Sequence, residues 1–359
     1  MIRREPITEE NALLLGRTVT DDRGLRLEWT CSGFRCRFVG SRLAVEWRLE
    51  DIPPALCPYL RIAVDGDVRV APVSAPGWLE AAGELPYGPH TVEIRKITEP
   101  IEGTFLHAAA VEIGARGERP AFFGAPPPPA RRKIEFVGDS ITCGYGNRGA
   151  EAETAFHTGM EDGWASYAAL TARAFGADIH FVGKSGEGIV RHCSGERGFP
   201  IPEFYPLASP SLRAGWDFSL WQPDLVIINA GTNDAAAGVD PAALQREAAG
   251  FLRAVRRRNP RACLLWVYGA MNTEAEAPLR AAVGQAAKED ERVFFHRLES
   301  VYARPEERGF TGHPNLRGHE RLAGDLIPLV SRLTGWQAAG TTGTAEPGGS
   351  PEDRKGGWL

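Results

Sequence analysis

Four short stretches of the chain carry residues that could do chemistry together. GDSITCG (138–144) follows the apolar run Ile134-Glu135-Phe136-Val137 and holds Ser140. KSGEG (184–188) and GTND (231–234) each follow another apolar run, and GHPNLRGH (312–319) brings His313 and His319 to the start of a helical segment. Hydrolysis of an ester by serine needs a hydroxyl nucleophile, a base to take its proton, and donors for the developing oxyanion. Ser140 can supply the first and His313 the second. The backbone N–H groups of Ser140 and Gly186, with the side-chain amide of Asn233, can supply the third. Gly188 competes with Gly186, because SGEG offers two glycines where a substrate must approach the backbone closely. Each piece alone is ordinary. A serine after a strand commonly caps a turn, Asn-Asp is a turn pair, and His319 reads as a surface or capping residue. Their order and shared placement carry the argument.

That placement depends on the elements around them. IEFVG (134–138), IHFVG (179–183), LVIINAG (225–231), CLLWVYG (263–269) and VFFH (293–296) read as strands buried on both faces. They alternate with helix-like segments at 164–175, 241–258, 276–290 and 315–333. Such alternation implies a parallel sheet flanked by helices, whose ligands sit outside the strands' carboxyl ends. Three of the four stretches fall at those ends.

The first third differs. Leu25, Leu27 and Trp29, then Phe34, Cys36 and Phe38, then Leu43, Val45, Trp47 and Leu49 alternate with their neighbours at the period of strands. Asp65-Gly66 divides two such runs as a hairpin would. Seven or eight short strands predict an all-β sandwich such as a jelly roll. GAPPPPARR (124–132) separates the two patterns, since four prolines favour a stiff extended spacer. The expected organisation is a sandwich over 1–124, a linker over 125–132, an α/β domain over 133–335, and a disordered Gly/Thr/Pro-rich tail over 336–359.

Bulk properties narrow the function classes. The chain has 359 residues, 43% of them hydrophobic, and a formal net charge of -5. That charge gives no reason to expect nucleic acid or an anionic membrane as partner. No apolar stretch nears the roughly 20 residues of a membrane span. The amino terminus lacks the apolar region of a secretion signal, and the six cysteines are irregularly spaced. Reduced, mostly buried thiols in a cytoplasmic protein are therefore expected, or a secreted one if its signal has been removed. Without a C-x-x-C, H-x-H or H-E-x-x-H spacing, neither a metal nor another cofactor is expected.

The four blocks GDSITCGYG, KSGEGI, NAGTND and HPNLRGH resemble, in order and spacing, those of the SGNH (GDSL-like) hydrolase superfamily over residues 133–335. The preceding sandwich, with DGWASYAALTARAFGA (162–177) and WDFSLWQPDLVIINAGTND (216–234), makes the chain similar to carbohydrate esterase family 2. The resemblance implies Ser140 as nucleophile, His313 as general base and then acid, and an oxyanion hole of Ser140, Gly186 and Asn233. It further implies removal of acetyl groups from saccharide hydroxyls, with an acetylated saccharide as substrate. A sugar O-acetyltransferase using the same intermediate, or a carbohydrate-binding protein with a vestigial esterase domain, are the alternatives. One departure stands out. The superfamily usually places an aspartate three residues before the histidine, and here that position is Phe310, so a Ser-His dyad is expected. Trp164, Tyr205, Trp216 and Trp221 lie near the motifs, and Trp164 is the foremost candidate for stacking on a sugar.

Overall fold

The computed structural model of the chain describes residues 2–50, 52–101 and 104–339. Up to residue 123 its described elements are β-strands, apart from one 3-10 turn at Pro54–Leu56. Two antiparallel six-stranded sheets face each other: one holds Arg42–Arg48 and Leu106–Gly114, the other Gly33–Gly40, Tyr59–Val64 and Gly88–Lys96. Phe34, Cys36 and Phe38 are buried while Arg35, Arg37 and Val39 between them are not, as the alternation requires. With Trp47, Leu60, Ile94 and Leu106 they form the core between the sheets. Asp65 and Gly66 make the two-residue hairpin, both at positive φ (52° and 101°). Among the described residues, eleven strands rather than seven or eight begin before residue 115. The extra ones include Ile2–Glu5 and Val19–Asp21, too short or too polar to show a period.

The second half is the parallel sheet expected. Its strand order is Asp178–Gly183, Lys133–Gly138, Leu225–Asn229, Cys263–Tyr268, Val293–Arg297, and every pairing is parallel. Two apolar cores lie against it, one built on Val226, Ile228 and Trp266 and the other on Phe136, Ile227 and Leu265. Lys133–Gly138 and Leu225–Asn229 pair, but their connections leave towards opposite edges, so a crevice opens beyond their carboxyl ends. Ser140 follows one strand and Asn233 the other.

Helices occupy Pro241–Arg258, Glu276–Ala287 and Leu316–Thr334. The segment expected to be helical from 164 begins its α-helix only at Tyr167. Asp162 caps a separate single turn at Gly163–Ala165 through the N–H groups of Trp164 and Ala165. The tail differs at its start. Arg132 donates to the Gln337 carbonyl at 3.0 Å, and Ala339 N–H to Ala174 at 2.8 Å. The rest of the expected disordered tail, from 340 on, lies outside the described residues. Among those residues no helix is long and apolar enough to cross a membrane.

The sandwich and the sheet are joined by buried polar groups. Arg17 donates to Glu135 Oε1 at 2.7 Å and to the Leu207 carbonyl at 3.1 Å, while Tyr205 O–H holds Glu135 Oε2 at 2.9 Å.

Candidate active site

Gly138 ends the strand with its Cα against neighbours. A Cβ there would come within 2.2 Å of Thr142 Oγ1 and 2.7 Å of the Asn229 carbonyl. Close packing, rather than a sharp bend at positive φ, therefore requires the glycine. Asp139 then caps the short helix Ser140–Cys143, its Oδ1 accepting Ile141 N–H at 3.0 Å, and Gly144 closes it in the left-handed conformation. Ser140 is placed at the first helical position, where its own N–H is one of those a helix leaves unbonded. Among the described residues that N–H donates to nothing.

His313 Nε2 lies 2.9 Å from Ser140 Oγ. For Nε2 to accept the serine proton, the ring must carry its hydrogen on Nδ1. That atom faces Thr311 Oγ1 at 3.1 Å, and the nearby carbonyls of Phe310 and Thr311 favour the protonated ring. No carboxylate is bonded to the ring among the described residues. Burial pulls the His313 pKa down to about 4, against the pull of those two carbonyls. The ring thus stays neutral, with Nε2 free to accept a proton though as a weaker base, well below neutral pH. The turn that brings the oxygens round is unusual, with Thr311 at φ 51° and Gly312 at φ 77°. Phe310 itself is turned away into an aromatic group with Tyr145 and Phe156, at centroid distances of 5.9 and 6.1 Å. Tyr145 also packs on the His313 ring at 5.0 Å.

The third element is the loop after Asp178–Gly183. Gly186 sits at φ 78°, partly exposed, and its N–H has no acceptor among the described residues. Gly188 is buried against an anion: a Cβ there would meet Asp234 Oδ2 and the Arg191 carbonyl, each at 2.5 Å. The Asp234 oxygens accept the N–H groups of Ile189, Val190 and Arg191 at 2.7, 2.7 and 3.2 Å. A developing oxyanion would be repelled there, so Gly186 is the better donor of the two. Asn233 Nδ2 spans the crevice, donating to the Glu187 carbonyl at 2.9 Å and to Asp139 Oδ2 at 3.2 Å. It therefore lies between the neighbours of Ser140 and of Gly186, with both amide protons engaged. Burial pushes Asp139 up to about 7.

The aromatic candidates are distributed differently. Tyr205 is fully buried in the Glu135 network, and Trp221 stacks on His180 at 3.6 Å, with Trp216 edge-on to the same ring. All three serve packing. Trp164 lies among the guanidinium groups of Arg61, Arg95 and Arg173, at 4.8, 4.8 and 5.5 Å. It borders a cavity of about 230 Å³ that neither Ser140 nor His313 lines. The structure does not bring it to the dyad. His319, expected at a surface or a cap, is buried and does cap: its Nδ1 accepts Tyr167 N–H at 3.0 Å, at the start of the helix Tyr167–Ala174. Among the described residues no cluster of three or more His, Cys, Asp or Glu could hold a metal ion. Sequence reasoning missed Thr311 and the bridging of Asp139 to Asn233. The nearness of Thr311 to His313 in the chain is the one signal that could have drawn attention to it.

Residues 136–321 match the GDSL-like Lipase/Acylhydrolase family, and residues 14–116 match the Carbohydrate esterase 2 N-terminal domain. The chain is 34% identical over 224 residues to the Cellulase/esterase CelE of Acetivibrio thermocellus, covering 59% of this chain but only 27% of that protein. It is 29% identical over 259 residues to an Acetylxylan esterase / glucomannan deacetylase of Cellvibrio japonicus, covering 69% of this chain and 68% of that one. Among solved structures, a family two carbohydrate esterase from Clostridium thermocellum in complex with cellohexaose superposes with a TM-score of 0.83 at 27% identity, over 90% of this chain and 99% of that one. The chain belongs to the GDSL-like lipase/acylhydrolase family, in the branch whose amino-terminal domain is that of carbohydrate esterase family 2.

Proposed function

We propose that the chain is a serine esterase that removes O-acetyl groups from carbohydrate through a covalent acetyl-Ser140, with an acetylated saccharide as substrate. Ser140 Oγ attacks the acetyl carbonyl carbon as its proton passes to His313 Nε2. The tetrahedral intermediate collapses, the bond to the sugar oxygen breaks, and His313 returns the proton to that oxygen. Water then attacks acetyl-Ser140, again giving its proton to His313, and acetate leaves as the serine is restored. The N–H groups of Ser140 and Gly186 receive the oxyanion. The Asn233 amide joins them by turning the proton of its longer bond, to Asp139, towards the substrate. The Thr311 hydroxyl and the carbonyls of Phe310 and Thr311 take the place of the missing acid, so the catalytic pair is a dyad. The division suggested by the sequence, a sandwich to 124 and a hydrolase domain from 133, assigns all of these groups to the second domain.

The contact of 2.9 Å between His313 Nε2 and Ser140 Oγ carries this reading. Acetate release from 4-nitrophenyl acetate and from acetylated xylo- and manno-oligosaccharides tests it. Ser140→Ala is expected to lose at least about 10³-fold in kcat. A variant that keeps the wild-type rate would remove Ser140 as nucleophile.

A further inference from the structure

The oxyanion loop is not held by the sheet domain alone. Glu99 follows the sandwich strand Gly88–Lys96 and is 2% exposed. Its Oε2 accepts the N–H of Ser185, the residue before Gly186, at 2.6 Å. Its own N–H donates to Glu161 Oε1 at 2.5 Å, and the neighbouring Ile97 carbonyl accepts Gly163 N–H at 2.8 Å. Beneath it, the fully buried Lys96 ammonium donates to the carbonyls of Glu28, Thr98 and Glu99 at 3.1, 2.8 and 2.8 Å. The segment is thus held by buried hydrogen bonds, and its carboxylate reaches the catalytic loop.

A carboxyl oxygen that accepts a backbone N–H holds that peptide in place in either ionisation state. Fixing the peptide before Gly186 fixes the direction from which the Gly186 backbone starts. The far side of the loop is held independently, by Asn233 on the Glu187 carbonyl and by Cys193 N–H on the Gly186 carbonyl at 2.8 Å.

We propose that Glu99 is a positioning residue of the esterase site. Its carboxylate holds Ser185 N–H so that the adjacent Gly186 N–H points at the oxyanion, which makes the catalytic loop incomplete without the sandwich. This rests on the esterase reading above. Burial pushes the Glu99 carboxyl upward, but either ionisation state leaves a lone pair for Ser185, so glutamine is a fitting replacement.

The test compares Glu99→Ala, Glu99→Gln and wild type in steady-state kinetics and in hydrogen–deuterium exchange of the peptide covering 184–190. Glu99→Ala is expected to lower kcat by about 10- to 100-fold, short of deleting an oxyanion donor outright. KM should stay within about threefold and exchange at 184–190 should quicken. Glu99→Gln should restore both readouts to near wild type. Should the alanine variant not fold, Glu99→Met keeps the side chain's length without its acceptor. A folded variant lacking the acceptor but retaining wild-type kcat overturns the proposal, and so does a glutamine variant as impaired as alanine. If wild type releases no acetate, the esterase reading fails instead. The exchange measurement needs no turnover and still decides whether Glu99 orders the loop.

Discussion

Placing a carboxylate at residue 311 tests how the dyad manages without an acid. The obvious position, 310, is unsuitable: the Phe310 ring is buried with Tyr145 and Phe156, so aspartate there would bury a charge among aromatics. Thr311→Asp is better placed. Its φ of 51° lies where aspartate is several-fold enriched, and its side chain starts where the present hydroxyl reaches Nδ1 at 3.1 Å. An opposite charge at such range raises a histidine pKa by about 1–3 units. Residue 311 is exposed, so solvent screening favours the low end, about one unit. With neutral His313 as the proposed base, kcat/KM falls as pH drops through its pKa in the free enzyme. The wild-type acid limb should therefore lie well below the ordinary 6.5, near the value of about 4 that burial sets. In Thr311→Asp it should move up, to about 5. The plateau at neutral pH should hold or rise, since the imidazolium formed in the transition state gains a counter-charge. Initial rates on 4-nitrophenyl acetate, followed at a pH-independent wavelength, give both profiles. Asp139, pushed up to about 7 beside Asn233, can also titrate near there, so a wild-type limb near 6.5 that persists in Asp139→Asn would refute the burial argument. An unmoved limb in the variant would refute the assignment of Nδ1 to the Thr311 side.

Two further outcomes follow from the same structure. His319 is held neutral, pushed down to about 3 by burial and secondarily by His313. The unfolded chain binds that proton below the ordinary 6.5 while the native chain does not, so stability rises with pH between those limits. His319→Asn, whose Oδ1 can replace Nδ1 on Tyr167 N–H, should flatten the pH dependence of denaturant unfolding, by an amount on the order of 5 kcal/mol at most. An unchanged slope would mean that His319 titrates normally. Trp164→Ala should cost about 2 kcal/mol of stability, less than the roughly 3–5 of a fully buried aromatic, with KM on acetylated saccharide within about twofold. A large rise in KM without loss of stability would restore Trp164 as a sugar platform.

Much of the fold was legible because period and burial agree. Phe34, Cys36 and Phe38 alternate in sequence and in burial alike, and the run LVII (225–228) is apolar throughout because both its faces are covered. Strands too short to show a period, such as Val19–Asp21, left no such trace. Aromatics misled for a related reason. A tryptophan's composition is the same whether it stacks on a ligand or, like Trp221, on His180.

Within the site, local chemistry was decided by sequence and its support by tertiary structure. Ser140, Gly186 and Asn233 could be singled out from residue type and place at strand ends, because a parallel sheet gathers those ends in one crevice, and His313 from its place just before the last helix. The absence of an acid at 310 was equally plain. What replaces that acid was not, because a backbone carbonyl is present at every residue and acquires a role only through its direction. Likewise, GDSITCG marks a strand end, but only packing shows that Gly138 is there for its closeness to Thr142 and Asn229. Glu99 is the plainest case. It lies 86 residues from Ser185, in a stretch of sandwich with no motif, and the sequence holds no sign of their contact. The docking of the two halves brings its carboxylate to the loop, since hydrogen bonds depend on position in space and not on distance along the chain.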